Sequence, residues 1–235
     1  MSSFTDILRD CLEQENIAYD EEKLGLCLKY RDFLLAKNRV MNLTGLTEDR
    51  DMAVKNFLDS LLLLKYGDIA EGSSLLDIGS GAGFPGMVCR IFRPDLKISL
   101  MDSLTKRCDF LRELCAELGI EDVEILCGRA EEFGRNPSYR GSFDYVTARA
   151  VAAASVLLEY GIPLLKQGGR LIMLKGKEEE EIPARALTEL CATALPPFSY
   201  ELTGDKRSLL MAEKQEPTPD KYPRRPGIPA KRPLN

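Results

Sequence analysis

Apolar residues recur along this chain with two different periods, and the change falls near residue 73. Before it the spacing is helical: Ile7, Leu8, Cys11 and Leu12 make one stripe, and Leu24, Cys27, Leu28, Arg31, Leu34 and Leu35 a second. A third helix is expected after the turn Thr47-Glu48-Asp49, with Val54, Phe57, Leu58, Leu61 and Leu62 apolar. Between the second and third lies Asn42-Leu43-Thr44-Gly45, either simple punctuation or the point where a helical cap turns toward a sheet.

Beyond residue 73 short apolar runs alternate with helical stretches. Strands are expected from Ser74 into the glycines after Ile78, and at 97–101, 123–127, 143–147 and 170–175. Helices are expected at 87–92, 104–118 with Ser103 as a cap, 152–165 and 178–194. The runs 198–202 and 208–212, joined by Thr203-Gly204-Asp205, read as a terminal hairpin. Alternation of this length implies a mostly parallel α/β sheet with helices on both faces, its ligand beyond the carboxyl ends of the strands near the switch point. Three parts are expected: a helical extension over 1–72, the α/β core over 73–213, and a tail over 214–235.

The core is organised around Asp77-Ile78-Gly79-Ser80-Gly81-Ala82-Gly83-Phe84-Pro85-Gly86, a strand that breaks into close glycines and resumes as a helix. Such a turn brings main-chain amides close to a ligand, commonly a pyrophosphate. A carboxylate at Asp77 would repel phosphate and favour a cationic or hydroxyl-rich guest such as S-adenosylmethionine. A turn that only packs a helix on a sheet is the plain alternative. Asp102, 23 residues past Gly79, stands where an acid reaches ribose hydroxyls, or else serves as a helix N-terminal acid.

Composition narrows the chemistry. Lys and Arg number 32 against 37 Asp and Glu, and the net charge of −5 argues against a chain-wide nucleic-acid face but not a local one. Seven cysteines without a C-x-x-C pair read as reduced thiols, with Cys108 and Cys115 on one buried helix face. There is no histidine, which excludes serine–histidine triads, histidine bases and histidine-ligated zinc, and no metal is expected. No apolar run approaches the ~20 residues of a membrane span. The start Met-Ser-Ser-Phe-Thr-Asp lacks a basic n-region, so a cytoplasmic protein without a membrane partner is expected. The segment 214–235 holds six of the 13 prolines and a local net charge of +4. It should be extended: a solvated tail, or a basic arm laid on RNA or back over the domain.

Asn136-Pro137-Ser138-Tyr139 is similar to a signature of methyltransferases that act on exocyclic amines, but it precedes the fourth strand instead of following it and reads as a surface turn. The other motifs agree with one another. The glycine loop, Asp102-Ser103-Leu104-Thr105-Lys106-Arg107, Arg129-Ala130-Glu131-Glu132-Phe133, Thr147-Ala148-Arg149-Ala150 and Leu174-Lys175-Gly176 resemble the signatures of the bacterial small-subunit ribosomal RNA methyltransferase G family, also called glucose-inhibited division protein B. Asn42-Leu43-Thr44 and Tyr222-Pro223-Arg224-Arg225-Pro226-Gly227 match it too.

The resemblance implies a class I, Rossmann-like methyltransferase with a mostly parallel seven-stranded sheet and an antiparallel terminal hairpin. It implies S-adenosylmethionine as donor, and as acceptor N7 of a single guanine in the helix 18 loop of 16S rRNA, free or within the small subunit. By position, Gly79, Gly81, Phe84, Ala130, Glu131 and Arg149 match cofactor contacts, and Asp102 would hold the ribose. Arg149, Asn42, Arg129, Lys175 and Arg207 match substrate-positioning candidates, and no general base is expected because guanine N7 carries a lone pair and no proton. One position departs: before Leu58-Asp59-Ser60 the family has histidine, and here Asn56 stands. A monomer is expected, with no DNA partner. The rivals are a nicotinamide-dependent oxidoreductase, whose Tyr-x-x-x-Lys pair occurs only at Tyr19 and Lys23, and a non-catalytic ribosome-associated factor.

Overall fold

The computed structural model describes residues 3–176 and 180–235. The chain opens with helices α1 (Phe4–Gln14) and α2 (Glu21–Met41), the first started by a Ser3–Asp6 capping box and the second capped by Asp20. The third expected helix is a composite: α3 (Asp49–Asp51), a π-helical stretch over Met52–Leu58, and α4 (Asp59–Tyr66). Asn42, in the left-handed conformation at φ 51°, ends α2, and the Asn38 side chain binds the amides of Leu43 and Thr44.

The alternating region forms β1 (Ser74–Ile78), α5 (Gly86–Phe92), β2 (Lys97–Asp102), α6 (Thr105–Leu118), β3 (Glu124–Cys127), α7 (Ala130–Phe133), β4 (Phe143–Arg149), α8 (Ala154–Gly161), β5 (Leu165–Lys175), α9 (Ala184–Leu190), β6 (Ala192–Leu202) and β7 (Asp205–Lys214). The seven strands lie in the order β3-β2-β1-β4-β5-β7-β6, parallel from β3 to β5 and antiparallel through β7 and β6. The direction of strand order reverses between β1 and β4, which places the switch point beside the glycine loop. One apolar cluster joins α1, α2, α5 and α6 to one face of the sheet; a second joins α8, α9 and the C-terminal residues Tyr222 and Leu234 to the other.

Several boundaries differ from the sequence reading, each for a local reason. The expected helix over 178–194 begins only at α9, after Pro183, and residues 177–179 lie outside the described residues. Cys191 at φ 57° ends it, and Ala192–Ala194 already belong to β6. That strand runs through Pro196 and Pro197, which an edge strand tolerates by slipping register between Leu195 and Phe198. Helix α8 starts at Ala154 instead of 152 and tightens to a 3-10 turn over Ile162–Leu164 at Pro163, so β5 begins five residues early. Ser103 does not cap α6: Leu104 stands at the N-cap with no side-chain cap, and the Asp102 carboxylate accepts from the Leu104 amide just ahead of the helix at 3.0 Å. The C-terminal segment folds back over the domain and is not uniformly extended, since Ile228–Lys231 form a helical turn, α10. The 136–139 segment is a turn with Asn136, Pro137 and Ser138 exposed. Among the described residues no helix is long and apolar enough to cross a membrane.

Candidate cofactor and substrate site

The glycine loop is fixed from three sides. From β2, the Met101 carbonyl accepts from the amides of Gly79 and Ser80 at 2.8 and 2.9 Å. From α2, the Tyr30 hydroxyl donates to Ala82 O, and its ring stacks on Phe84 with centroids 4.9 Å apart. From beneath, Asp77 accepts from the Gly86 amide at 3.1 Å and from the Thr147 hydroxyl at 3.3 Å. Gly86 is required by close approach: a Cβ there would lie 2.3 Å from Leu100 Cδ2.

Asp77 corrects one expectation. Its carboxylate is fully buried behind the loop and does not line the cleft, so it shapes the turn instead of attracting a cationic guest. Burial pushes its pKa up from 3.8 to about 6, against the opposing hydrogen bonds from the Gly86 amide and Ser80.

A cavity of about 320 Å³ opens at the carboxyl ends of β1, β2, β3 and β4, within the usual size range of small-molecule sites. Gly79, Asp102, Arg129, Ala130 and Glu131, all singled out from the sequence, line it. Gly79 at φ 71° brings the main chain to the wall, and a Cβ there would meet Val151 Cγ2 at 2.5 Å. Asp102, 3 % exposed, accepts from Gly81 N and Leu104 N at 3.0 Å each and from Arg107 at 3.3 Å. A carboxylate offers about four acceptor directions, so these three donors leave one for a hydroxyl in the cleft. Ile78, Met101 and Ala130 supply apolar wall beside it. Buried acid, apolar slot and open glycine main chain together fit the ribose, purine and amino-acid ends of an adenosyl cofactor.

Gly81, Phe84 and Arg149 lie behind this cavity and do not line it. Phe84 is 5 % exposed and packs in the core, with the Arg149 guanidinium 5.2 Å from its ring centre. Arg149 ends β4 and is held by the opened main chain of the π-helical stretch: Nη1 donates to Lys55 O at 2.9 Å and Nη2 to Asn56 Oδ1 at 3.0 Å. Asp59 completes the cluster, 3.5 Å from Nη1, while its other oxygen accepts from the Tyr200 hydroxyl at 2.7 Å. Asn56, where the family resemblance has histidine, is therefore a neutral anchor for Arg149.

The remaining substrate-side candidates do not converge on one point. Lys175 donates to Ala152 O at 2.9 Å and pairs with Glu180 at 2.7 Å, tying down the loop that carries Val151 over Gly79. Arg207 lines a second cavity of about 750 Å³ with Gly176, Tyr200 and Lys206. Arg129 belongs to the rim of the first cavity, and Asn42 sits exposed at the end of α2 and lines neither.

The architecture is that of S-adenosylmethionine-dependent methyltransferases. The structure is similar to the tRNA methyltransferase TrmK of Bacillus subtilis, at a TM-score of 0.53 and 17% identity over 68% of this chain and 66% of that one. It is also similar to geranyl diphosphate C-methyltransferase of Streptomyces coelicolor, solved with S-adenosylhomocysteine, at a TM-score of 0.51 and 15% identity over 67% and 80% of the two chains. A family model described as rRNA small subunit methyltransferase G matches residues 23–209. The chain belongs to that family. A methyltransferase G relative from Alkaliphilus metalliredigens is 43% identical over 97% of this chain and 98% of its own. Membership in the methyltransferase G family displaces the nicotinamide reading.

Val151, Tyr160 and Ala230 line the cleft without having been singled out from the sequence, and Arg107, also in the lining, enters the sequence reading only as part of a motif. Arg107 was readable, since a residue on the first turn of a helix that follows Asp102 returns toward that acid. Nothing local marks Ala230, because its place depends on the path of the whole C-terminal segment.

Proposed function

We propose that this chain transfers the methyl group of S-adenosylmethionine to N7 of a single guanine in the helix 18 loop of 16S rRNA, without a metal. The observation that supports this reading is the cleft, in a chain of this family, where a buried acid faces an apolar slot beside an open glycine turn. S-adenosylmethionine supplies, when bound, an electrophilic methyl group on a sulfonium. Asp102, which lines the cleft, holds the ribose hydroxyls in this reading, and the turn Gly128–Glu131 edges the purine. The reaction asks for no general base and no Lewis acid, because N7 presents its lone pair in the plane of the base. What the chain contributes is alignment and exclusion of water, and orientation of this kind supplies up to ~7–11 kcal/mol. Arg149 stays protonated and is held by Asn56, Asp59 and Lys55 O, so it orients the cofactor or base and moves no proton.

RNA is held through phosphates by exposed cations, Arg129 at the cleft and Arg225, Lys231 and Arg232 on the C-terminal segment that reaches it through Ala230, despite the net charge of −5. An unpaired loop guanine is favoured, since extruding a duplex base costs a few kcal/mol. Lys175 and Arg207 are the substrate-side residues nearest this reading, and the protein acts as a monomer, its exposed large apolar side chains being spread over α2 (Leu28 and Val40, twelve residues apart), two loops (Leu104 and Val151) and α10 (Ile228). The reading places the enzyme in the cytoplasm with the ribosome. Incubating the protein with labelled S-adenosylmethionine and undermethylated small subunits, or naked 16S rRNA, should label one guanine found by mass mapping. Binding of NADH without S-adenosylmethionine, or cofactor binding without transfer, would restore one of the two rival readings.

A further inference from the structure

The C-terminal segment has two differently built sides. Inward, it is fastened to the wall of the cofactor cleft. The main-chain amide of Arg224 donates to Glu159 Oε1 at 2.7 Å, and its guanidinium grips both oxygens of that carboxylate at 2.5–3.1 Å. Glu159 is 0 % exposed, and it sits on α8 directly before Tyr160, a cleft residue. Three residues on from Arg224, the Gly227 amide donates at 2.9 Å to the buried carboxylate of Glu131, another cleft residue. Ala230, on α10, then lines the cavity itself. Arg140 gathers the carbonyls of Thr218 and Tyr222 at 2.6 and 2.8 Å, fixing where the segment starts its return.

Outward, the same stretch carries Arg225, Lys231 and Arg232, all exposed and without an ion pair among the described residues. The basic residues of the tail thus divide by position. Arg224 neutralises a buried carboxylate, while its neighbours in the next turns are left free for an external anion.

We propose that residues 222–232 are a wall of the cofactor site that bound RNA holds in place, so that RNA and cofactor strengthen each other's binding. This rests on the methyltransferase reading above. An anion that engages Arg225, Lys231 and Arg232 in the arrangement fixed by docking binds the docked segment more tightly than the released one, and the docked segment alone completes the cleft with Ala230. Linkage then requires that cofactor tighten RNA by the same factor by which RNA tightens cofactor. Arg224 and Gly227 are positioning residues in this scheme, acting through Glu159 and Glu131.

The test is calorimetric titration of the full chain with S-adenosylhomocysteine, with and without a transcript of the 16S loop region at low salt. The expected result is an affinity about 10-fold higher in the presence of RNA, with the reciprocal gain for RNA. Exchanging the three outward cations together (R225Q, K231Q and R232Q) should bring the coupling factor to one. Ala230→Trp, at an exposed position that leaves the core untouched, should weaken S-adenosylhomocysteine at least 10-fold with an unchanged melting temperature. Wild-type affinity in Ala230→Trp, or independent binding of two ligands that both bind, overturns the inference and leaves the methyltransferase reading standing. Absence of RNA binding, or of methyl transfer, overturns both.

Discussion

The main-chain amide of Gly81 donates to Asp102 Oδ2 at 3.0 Å, so the turn after β1 and the acid ending β2 are one rigid unit. The same oxygen meets Arg107, and the other oxygen takes the Leu104 amide that opens α6. The acid expected at the ribose therefore also accepts from the amide just ahead of α6, so the glycine turn and the entry to that helix share one carboxylate.

Replacing Asp102 by Asn keeps the shape but turns one acceptor into a donor. Either Gly81 N or Leu104 N then loses its partner in a buried site, which costs about 1–3 kcal/mol. The expected outcome is a lower melting temperature together with at least ~10-fold weaker S-adenosylhomocysteine binding, about 1.4 kcal/mol, by titration calorimetry. Unchanged affinity would take Asp102 out of the cofactor site.

Arg149 should be intolerant of both Ala and Lys. Its fork reaches Asn56, Asp59 and Lys55 O at once, a geometry that an ammonium cannot reproduce. Removing it leaves Asp59, 3 % exposed, with the Tyr200 hydroxyl as its one remaining side-chain partner among the described residues. Loss of the charged hydrogen bonds costs about 1.5–3 kcal/mol of stability. Steady-state kinetics at saturating cofactor should show turnover reduced in both variants, with Tyr200→Phe milder. Wild-type turnover in Arg149→Lys would mean that charge alone matters there.

Much of this arrangement is local in sequence and therefore legible. The step from Ile78 into Gly79 and the position of Asp102 after its strand follow from period and turn chemistry within a few residues, whereas the short helix α7 at Ala130–Phe133 stands where the sequence reads as a loop. The roles that escaped are set by burial. Nothing in the residues around Asp77 says that its carboxylate turns under the loop to Gly86 and Thr147 instead of into the cleft. Phe84 likewise faces Tyr30 of α2, a contact across 54 positions that only packing decides. Ala230 enters the site because a proline-rich segment finds a buried partner in Glu159, and composition cannot separate that from a solvated tail.

Asp77 gives a pH signature. Its pKa rises from 3.8 to about 6 on folding, chiefly through burial. The folded state therefore binds the proton more tightly, and the stabilisation it provides is complete below pH ~4 and lost as pH rises through about 6. Asp77→Asn removes that dependence while still offering an oxygen to the Gly86 amide and an NH₂ group to Thr147. Denaturant titrations across pH 4–8 should find the variant gaining on the parent between about pH 4 and 6, by roughly 2–3 kcal/mol at the plateau. A stability difference that stays flat over this range would mean that the carboxylate is already ionised throughout.

RNA binding should depend on salt in proportion to the phosphates that the cleft cations neutralise. The formal charge of −5 repels RNA at long range, so on the proposed reading binding comes from local cations, Arg129 at the cleft and Arg225, Lys231 and Arg232 on the C-terminal segment. Each phosphate neutralised on a single strand contributes about −0.7 to the slope of log K against log salt. Removing the charge at Arg225, Lys231 and Arg232 should therefore flatten that slope by roughly 2, whereas removing Arg129 alone should change it by less than one. Filter-binding or anisotropy titrations of a loop transcript between 50 and 300 mM salt read this directly. A slope that is already flat in the parent protein would place recognition in base contacts and shape, and would leave these four cations without a part in it.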